Sequence, residues 1–186
     1  MRIIGGNLKG KKILIPKDDK TRPLRDLVKE SIFNLILHSN KFNCSINDSN
    51  ILDLFSGTGS FGLECISRNS KMITFFENHN EALYVLKKNI NSLNVENKCR
   101  IIEEDCFEFF KTNKPLKEKF DIIFIDPPYR EIRINFLINL ILEKKILKNN
   151  GILIIHRHKK DNVNISDKLK ILDQRIYGIS KIVIGN

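Results

Sequence analysis

Residues 51–62 read ILDLFSGTGSFG, a short apolar run that leads through a glycine-rich turn into an amphipathic stretch. Short, continuous apolar runs are typical of parallel strands that are buried on both faces. Glycine permits the tight turn and the close backbone approach to a ligand that a strand-to-helix junction can require. This stretch therefore predicts the first strand of an open α/β sheet, followed by a ligand-binding turn.

The same alternation continues along the rest of the chain. Apolar runs predict further strands at 72–76, 100–104, 120–125 and 151–156, and helical periodicity separates them at 60–68, 80–93, 106–113 and 131–148. Residues 168–177 and 180–184 flank Gly178 and have hairpin character, so we expect antiparallel strands there. Right-handed βαβ units follow from this order. The fold class is thus α/β, a three-layer, doubly wound, Rossmann-like protein with a mostly parallel seven-stranded sheet.

The first 40 residues predict a small basic extension, and residues 41–186 predict the main domain. Residues 2–4 and 12–15 read as two short strands around a turn punctuated by glycines, and apolar spacing predicts a helix over 25–38. Residues 1–25 hold eight Lys and Arg against two Asp, which is more than half of the net charge of +10. We interpret the hairpin as a basic flap.

A net charge of +10 favours an anionic macromolecular partner. The alternative is a composition bias, because the chain is rich in Ile, Lys and Asn. The concentration of charge near the amino terminus favours the first interpretation. We therefore expect phosphate contacts from six basic residues, namely Arg2, Lys9, Lys11, Lys12, Arg22 and Arg25.

Several protein classes are disfavoured by the composition. No apolar run approaches the roughly 18 residues of a membrane span, and the first residues lack the pattern of a signal peptide, so we expect a cytoplasmic protein without membrane contact. The four cysteines show no C-x-x-C spacing, which argues against a zinc site or a disulfide framework. We interpret residues 156–158, His-Arg-His, as a strand edge and predict no metal site.

Four acidic residues fall at or near the carboxyl ends of the predicted strands, where open α/β sheets bind ligands: Asp53, Glu77, Asp105 and Asp126. The glycine turn alone would suit NAD, whose pyrophosphate sits on a helix amino terminus. A carboxylate at Asp53 would repel that pyrophosphate, whereas it can pair with the cationic amino acid tail of S-adenosylmethionine. Glu77 suits ribose hydroxyls, and Asp105 suits the adenine amine.

The tetrapeptide Asp126-Pro127-Pro128-Tyr129 ends the fourth predicted strand. Proline has no N–H and fixes φ, so the Pro127 carbonyl points outward as an acceptor. Asp126 and that carbonyl can accept both hydrogens of an exocyclic amine, and Tyr129 offers a ring on which a base can stack. An ordinary turn is the alternative interpretation of these four residues.

Beyond these features, the chain resembles the bacterial 16S rRNA (guanine-N2)-methyltransferase family, RsmD, nearly from end to end. The resemblance rests on MRIIGG at 1–6, TRP at 21–23, VKESIFN at 28–34, LDLFSGTG at 52–59, GLE at 62–64 and IDPPY at 125–129. It implies a class I methyltransferase that uses S-adenosylmethionine to methylate N2 of a guanine in 16S rRNA. We expect cofactor contacts at Asp53, Phe55, Gly57, Thr58, Gly59, Glu77, Asn78, Asp105, Cys106 and Asp126, and catalysis at Asp126, Pro127, Pro128 and Tyr129.

The chain departs from the family pattern at His156, where an acidic residue is usual, and at Asn78, where Asp is common. The resemblance further implies a substrate within a small-subunit ribosomal particle, and we expect a monomer. Rival functions are an adenine-N6 or protein-amide methyltransferase, and a non-catalytic RNA-binding assembly factor. A dinucleotide oxidoreductase is the least favoured, because it has no use for residues 126–129.

Overall fold

The structure is a computed structural model that describes residues 1–16, 24–112, 114, 116, 118–161 and 165–186. Arg22, one of the predicted phosphate contacts, lies outside the described residues. The helices are α1 (Asp26–His38), α2 (Ser60–Ser67), α3 (Asn80–Ser92), α4 (Cys106–Lys111) and α5 (Ile134–Glu143). The strands are β1 (Asn50–Leu54), β2 (Met72–Phe76), β3 (Cys99–Ile102), β4 (Phe120–Ile125), β5 (Leu147–His158), β6 (Ile171–Tyr177) and β7 (Ser180–Gly185).

The strands form one sheet in the order β3-β2-β1-β4-β5-β7-β6. The first five strands in this order pair in parallel, and β7 runs antiparallel between β5 and β6. One apolar core joins the sheet to α1, α2 and α3, and a second joins it to α4 and α5. The predicted three-layer, doubly wound α/β fold with an antiparallel end is therefore confirmed.

One predicted boundary is wrong. The periodicity predicts one helix over 131–148, but α5 spans Ile134–Glu143 and β5 already begins at Leu147. The break comes at Lys145, whose φ of 52° lies in the left-handed region that ends helices. Leu147 then pairs with Phe120 before a register shift, so the polar residues after it extend a strand. Because β5 lies between β4 and β7, His156 and Arg157 are interior rather than at the edge of the sheet.

The amino-terminal segment, residues 1–16, differs from the predicted pair of strands. Its pairing is a single antiparallel bridge between Arg2 and Lys12, supported by the bond from the Ile3 N–H to the Lys11 carbonyl at 2.9 Å. Ile3 and Ile13 are buried in the same core as α1 and α2. The segment thus packs on the body of the protein through its apolar residues, while its Lys and Arg side chains face solvent.

A buried polar cluster fixes this segment. Glu64 of α2 is completely buried, and its two carboxylate oxygens accept the N–H groups of Ile4 and Gly5, each at 2.8 Å. Lys29 of α1 is also completely buried, donates to the Arg2 carbonyl at 2.8 Å, and lies 3.8 Å from Glu64. Burial lowers the pKa of Lys29, and the neighbouring carboxylates of Glu64 and Asp26 partly oppose that shift.

Candidate active site

The structure brings the four acidic residues to one edge of the sheet. Glu77 and Asp126 directly follow β2 and β4, Asp53 is the fourth residue of β1, and Asp105 follows β3 as the N-cap of α4. Because β3, β2, β1 and β4 are adjacent and parallel, their carboxyl ends share this edge.

The glycine turn lies at the centre of that edge. Gly57 and Gly59 have φ of 55° and 79°, and Phe55 also has a positive φ of 61°, which an aromatic residue rarely adopts. Ser56 holds this turn, because its hydroxyl donates to the Asp53 carbonyl at 2.6 Å. A Cβ on Gly62 would lie 2.3 Å from the ring of Phe75, so this glycine serves close packing of α2 on the sheet. Three of the five residues from 55 to 59 therefore have positive φ, at the turn for which the sequence predicts a ligand.

Glu77 organises the turn from the neighbouring strand. One carboxylate oxygen accepts the Gly57 N–H at 2.6 Å, and the other accepts the N–H groups of Asn78 at 3.0 Å and His79 at 2.8 Å. A carboxylate has about four acceptor positions. One position therefore stays open for a further donor.

Asp53 is covered by the turn and only 1% exposed. Its carboxylate accepts the Gly62 N–H at 3.0 Å. Burial raises the pKa of Asp53 well above its ordinary value; the Gly62 hydrogen bond partly opposes the shift, and the charges of Asp126 and Glu77 add to it. A carboxyl group held this way readily keeps a proton unless a cation approaches it.

The remaining predicted cofactor residues surround this turn. Thr58 is buried, and its carbonyl accepts from the side chain of Asn89 at 3.0 Å. The same Asn89 amide binds both the N–H and the carbonyl of Leu14, so α3 ties the turn to the amino-terminal segment. Phe55 packs beside the core, with its ring centroid 5.7 Å from that of Phe107. Sequence patterns give no sign of the role of Asn89.

Two further predicted residues lie near the start of α4. One oxygen of Asp105 accepts the Phe107 N–H at 2.7 Å, while the other lies 3.4 Å from the exposed Asn78 amide. The thiol of Cys106 is buried, which raises its pKa, so the thiol stays protonated. This residue can therefore offer its backbone, rather than a thiolate, to a ligand.

Residues 126–131 form the loop after β4, which we call the catalytic loop after the role that the sequence predicts for residues 126–129. Asp126 is partly buried, Pro127 is buried, and Tyr129 is 36% exposed. The Tyr129 ring lies edge-on to His158, with centroids 5.5 Å apart. The Pro127 carbonyl has no hydrogen-bond donor among the described residues, whereas the carbonyls of the two residues after it do. It stands beside Asp126 as an available acceptor.

Two residues of β5 hold this loop, and no sequence pattern marks them as functional. The Arg157 guanidinium is 5% exposed and donates to the carbonyls of Pro128 and Tyr129, both at 3.2 Å, and of Glu131 at 2.9 Å. His156 lies 2.7 Å from Asp126. The interpretation of residues 156–158 as a strand edge is wrong, because the first two are buried at the site. A local sequence pattern cannot identify the residues that these two side chains contact across strands.

The described members of the predicted phosphate contacts lie on the amino-terminal segment and just before α1. All five described members, Arg2, Lys9, Lys11, Lys12 and Arg25, are exposed. The turn that contains Lys9 packs at the far end of α2, because the Asn7 N–H donates to the Ser67 carbonyl at 2.7 Å. Within the described ranges, no three His, Cys, Asp or Glu side chains are placed to share a metal ion, and no helix is long and apolar enough to cross a membrane.

Comparison with known proteins supports one family. The family model described as Conserved hypothetical protein 95 matches residues 1–186. Ribosomal RNA small subunit methyltransferase D of Buchnera aphidicola is 35% identical over 176 residues, which are 94% of this chain and 86% of that protein. The protein of the same name from Haemophilus influenzae is 31% identical over 96% of this chain and 90% of its own.

A solved structure of a methylase is similar to this chain over almost its whole length. A putative methylase from Haemophilus influenzae is 29% identical and superposes with a TM-score of 0.77, covering 99% of this chain and 96% of its own. The similarity therefore extends over the amino-terminal segment as well as the sheet. The resemblance found in the sequence is confirmed.

Proposed function

Because this chain belongs to the family of ribosomal RNA small subunit methyltransferase D, we propose that it transfers a methyl group from S-adenosylmethionine to the exocyclic N2 amine of a guanine in 16S rRNA. The observation that carries the choice of an amine is the pair of acceptors at the start of the catalytic loop. The Asp126 carboxylate and the Pro127 carbonyl, which has no donor among the described residues, belong to consecutive residues, and an exocyclic amine has two hydrogens to give them.

The residues around the glycine turn fit S-adenosylmethionine. The open acceptor position of Glu77 suits a ribose hydroxyl, and the buried Asp53 suits a nearby cationic amino group. The Glu77 carboxylate would repel the pyrophosphate of a dinucleotide, and Asp53, protonated in the absence of a cation, would not attract it. This charge pattern supports a methyl donor over NAD at the turn.

S-adenosylmethionine supplies an electrophilic methyl group carried on a sulfonium. Guanine N2 is a weak nucleophile because its lone pair is delocalised into the ring. Asp126 and the Pro127 carbonyl accept its two hydrogens, which orients the remaining electron density of nitrogen away from the loop. Positioning of this kind contributes several kcal/mol, on the order of 7 to 11 at best.

Tyr129 and Arg157 complete the arrangement. The exposed ring of Tyr129 provides a stacking surface for a base that has left its helix or loop. Arg157 binds three loop carbonyls and so fixes the loop before the base arrives. The exposed cations of the amino-terminal segment provide phosphate contacts outside the site.

The test uses isotopically labelled methyl donor with 16S rRNA and, separately, with small-subunit particles, followed by mass analysis of nucleosides. We expect labelled N2-methylguanosine. Labelled N6-methyladenosine would replace the proposal with an adenine methyltransferase, and label in protein would indicate a protein-amide methyltransferase. Binding of the donor without transfer to any substrate would support a non-catalytic assembly factor.

Two variants separate the cofactor role from the catalytic role. Glu77→Ala should weaken S-adenosylmethionine binding by about 1.5 to 3 kcal/mol, the worth of a hydrogen bond to a charged group. Asp126→Ala should abolish turnover while the affinity for the donor changes far less. Asp167→Ala, at an exposed position before β6, is the matched control and should leave both properties unchanged. Normal single-turnover rates in Asp126→Ala would contradict the assignment.

A further inference from the structure

His156 contacts Asp126, but the proposed methyl transfer assigns it no role. Its ring is 6% exposed, with Nδ1 2.7 Å from one carboxylate oxygen of Asp126 and Nε2 2.9 Å from the Ser180 hydroxyl. Ser180 begins β7 and is itself buried. The imidazole therefore bridges the catalytic loop and the antiparallel part of the sheet.

The chemistry of the two partners decides where the ring carries its proton. An ionised carboxylate only accepts hydrogen bonds, so Nδ1 must donate to Asp126. Nε2 of the neutral ring is then an acceptor, and the Ser180 hydroxyl can donate to it. All the polar atoms of this chain of contacts are satisfied with a neutral imidazole.

We propose that His156 is a positioning residue, which holds one oxygen of Asp126 so that the other oxygen faces the target amine. The proposal rests on the proposed function. It deepens that function by assigning the orientation of the carboxylate to a side chain outside the catalytic loop. A carboxylate on a partly exposed loop otherwise rotates among rotamers, and fixing it removes that freedom before the substrate binds.

Because Arg157 holds the backbone of the catalytic loop, the position of the Asp126 carboxylate can be tested separately from the folding of the loop. Arg157 binds the backbone carbonyls of Pro128, Tyr129 and Glu131 from the opposite face of β5. His156, by contrast, hydrogen-bonds to the loop through the Asp126 side chain. Replacing His156 should thus release the carboxylate while the backbone of the loop stays in place.

The first measurement needs no substrate. The ring nitrogen chemical shifts of His156, recorded by NMR at pH 8 in the wild type and in Asp126→Ala, report which nitrogen carries the proton. We expect the proton on Nδ1 in the wild type and a shift toward Nε2 in Asp126→Ala. A wild-type ring protonated on Nε2 would overturn the proposal, because Nδ1 could not then donate to the carboxylate.

The second measurement is the single-turnover rate of methyl transfer at pH 8. His156→Asn keeps a hydrogen-bond donor near the place of Nδ1, so its rate should stay within about threefold of the wild type. His156→Leu has no donor there and should lower the rate by about tenfold, or about 1.4 kcal/mol, with the affinity for S-adenosylmethionine unchanged.

Two outcomes of this measurement would overturn the proposal: a His156→Asn variant as slow as His156→Leu, or a His156→Leu variant as fast as the wild type. A wild type that binds the donor but methylates no rRNA would instead refute the proposed function. The ring nitrogen shifts would still decide whether His156 holds Asp126.

Discussion

The buried carboxylate of Glu64 is the sharpest place to test what holds the amino-terminal segment on the protein. Glu64→Gln keeps the shape of the side chain but replaces one acceptor oxygen with an NH2 group. One of the two N–H groups of Ile4 and Gly5, now bound at 2.8 Å, must then face another donor. The variant also removes the negative charge 3.8 Å from the buried Lys29.

The size of the effect follows from these interactions. Removing one partner of a buried ion pair costs about 3 to 5 kcal/mol. Lys29 keeps Asp26 at 3.7 Å in this variant, whereas Arg68, 3.0 Å from Glu64, loses its carboxylate partner. Part of that sum is the unpaired backbone N–H, worth about 1 to 3 kcal/mol. At about 2 to 4 °C per kcal/mol for a chain of this length, Tm should fall by roughly 6 to 20 °C.

The assay combines urea unfolding, thermal unfolding and limited trypsin digestion, since Lys9, Lys11 and Lys12 lie in the segment that Glu64 holds. Glu108→Gln is the matched control, because Glu108 is 65% exposed and pairs with Lys111 on the surface of α4. An exposed pair is worth at most about 1 kcal/mol. If the free energy of unfolding of Glu64→Gln lies within about 1 kcal/mol of the wild type, the buried cluster does not anchor the segment.

Two further predictions concern charge. Replacing Arg2, Lys9, Lys11, Lys12 and Arg25 with Gln should flatten the salt dependence of rRNA binding by about 0.7 to 0.9 in log–log slope for each phosphate that the variant no longer binds. The control variant carries the same number of Lys→Gln changes before strands at the opposite edge of the sheet, at Lys71, Lys98, Lys119, Lys145 and Lys170. These changes should leave the salt dependence of rRNA binding unchanged. Equal slopes for the two variants would indicate composition bias instead. Burial raises the folded-state pKa of Asp53 above the unfolded value of about 3.9, so the wild type loses stability as pH rises from about 4 through the folded pKa. Asp53→Asn should therefore raise Tm more at pH 8 than at pH 5, and parallel pH profiles of Tm would contradict this.

The sequence predicts those parts of the molecule whose signal is local. Continuous apolar runs locate β2 and β4 at the residues where they lie, and the glycines of residues 57–62 locate the turn. The helix predicted over 131–148 is too long, because the start of β5 at Leu147, which pairs with Phe120, has no local signature that distinguishes it from a helix end.

The roles of individual side chains are less accessible, because they depend on partners far away in the chain. Glu64 stands out in the sequence only as part of a family motif, yet it binds the backbone 60 positions earlier. His156 and Arg157 reach residues 26 to 30 positions away across a neighbouring strand. Periodicity records which face of an element is buried, but it carries no information about which polar atoms meet there.

The placement of β7 has a consequence for the order in which the molecule assembles. β6 and β7 are consecutive and pair as a local hairpin, a structure that forms in about 1 to 10 μs. β5 can gain its second neighbour only when this hairpin docks, since β7 lies between β5 and β6. Until then β5 presents an open, apolar strand edge, the kind of surface on which partly folded chains associate. The hydrogen bond between Ser180 and His156 forms only after docking, so in a chain that stalls before this step the imidazole beside Asp126 lacks its second partner.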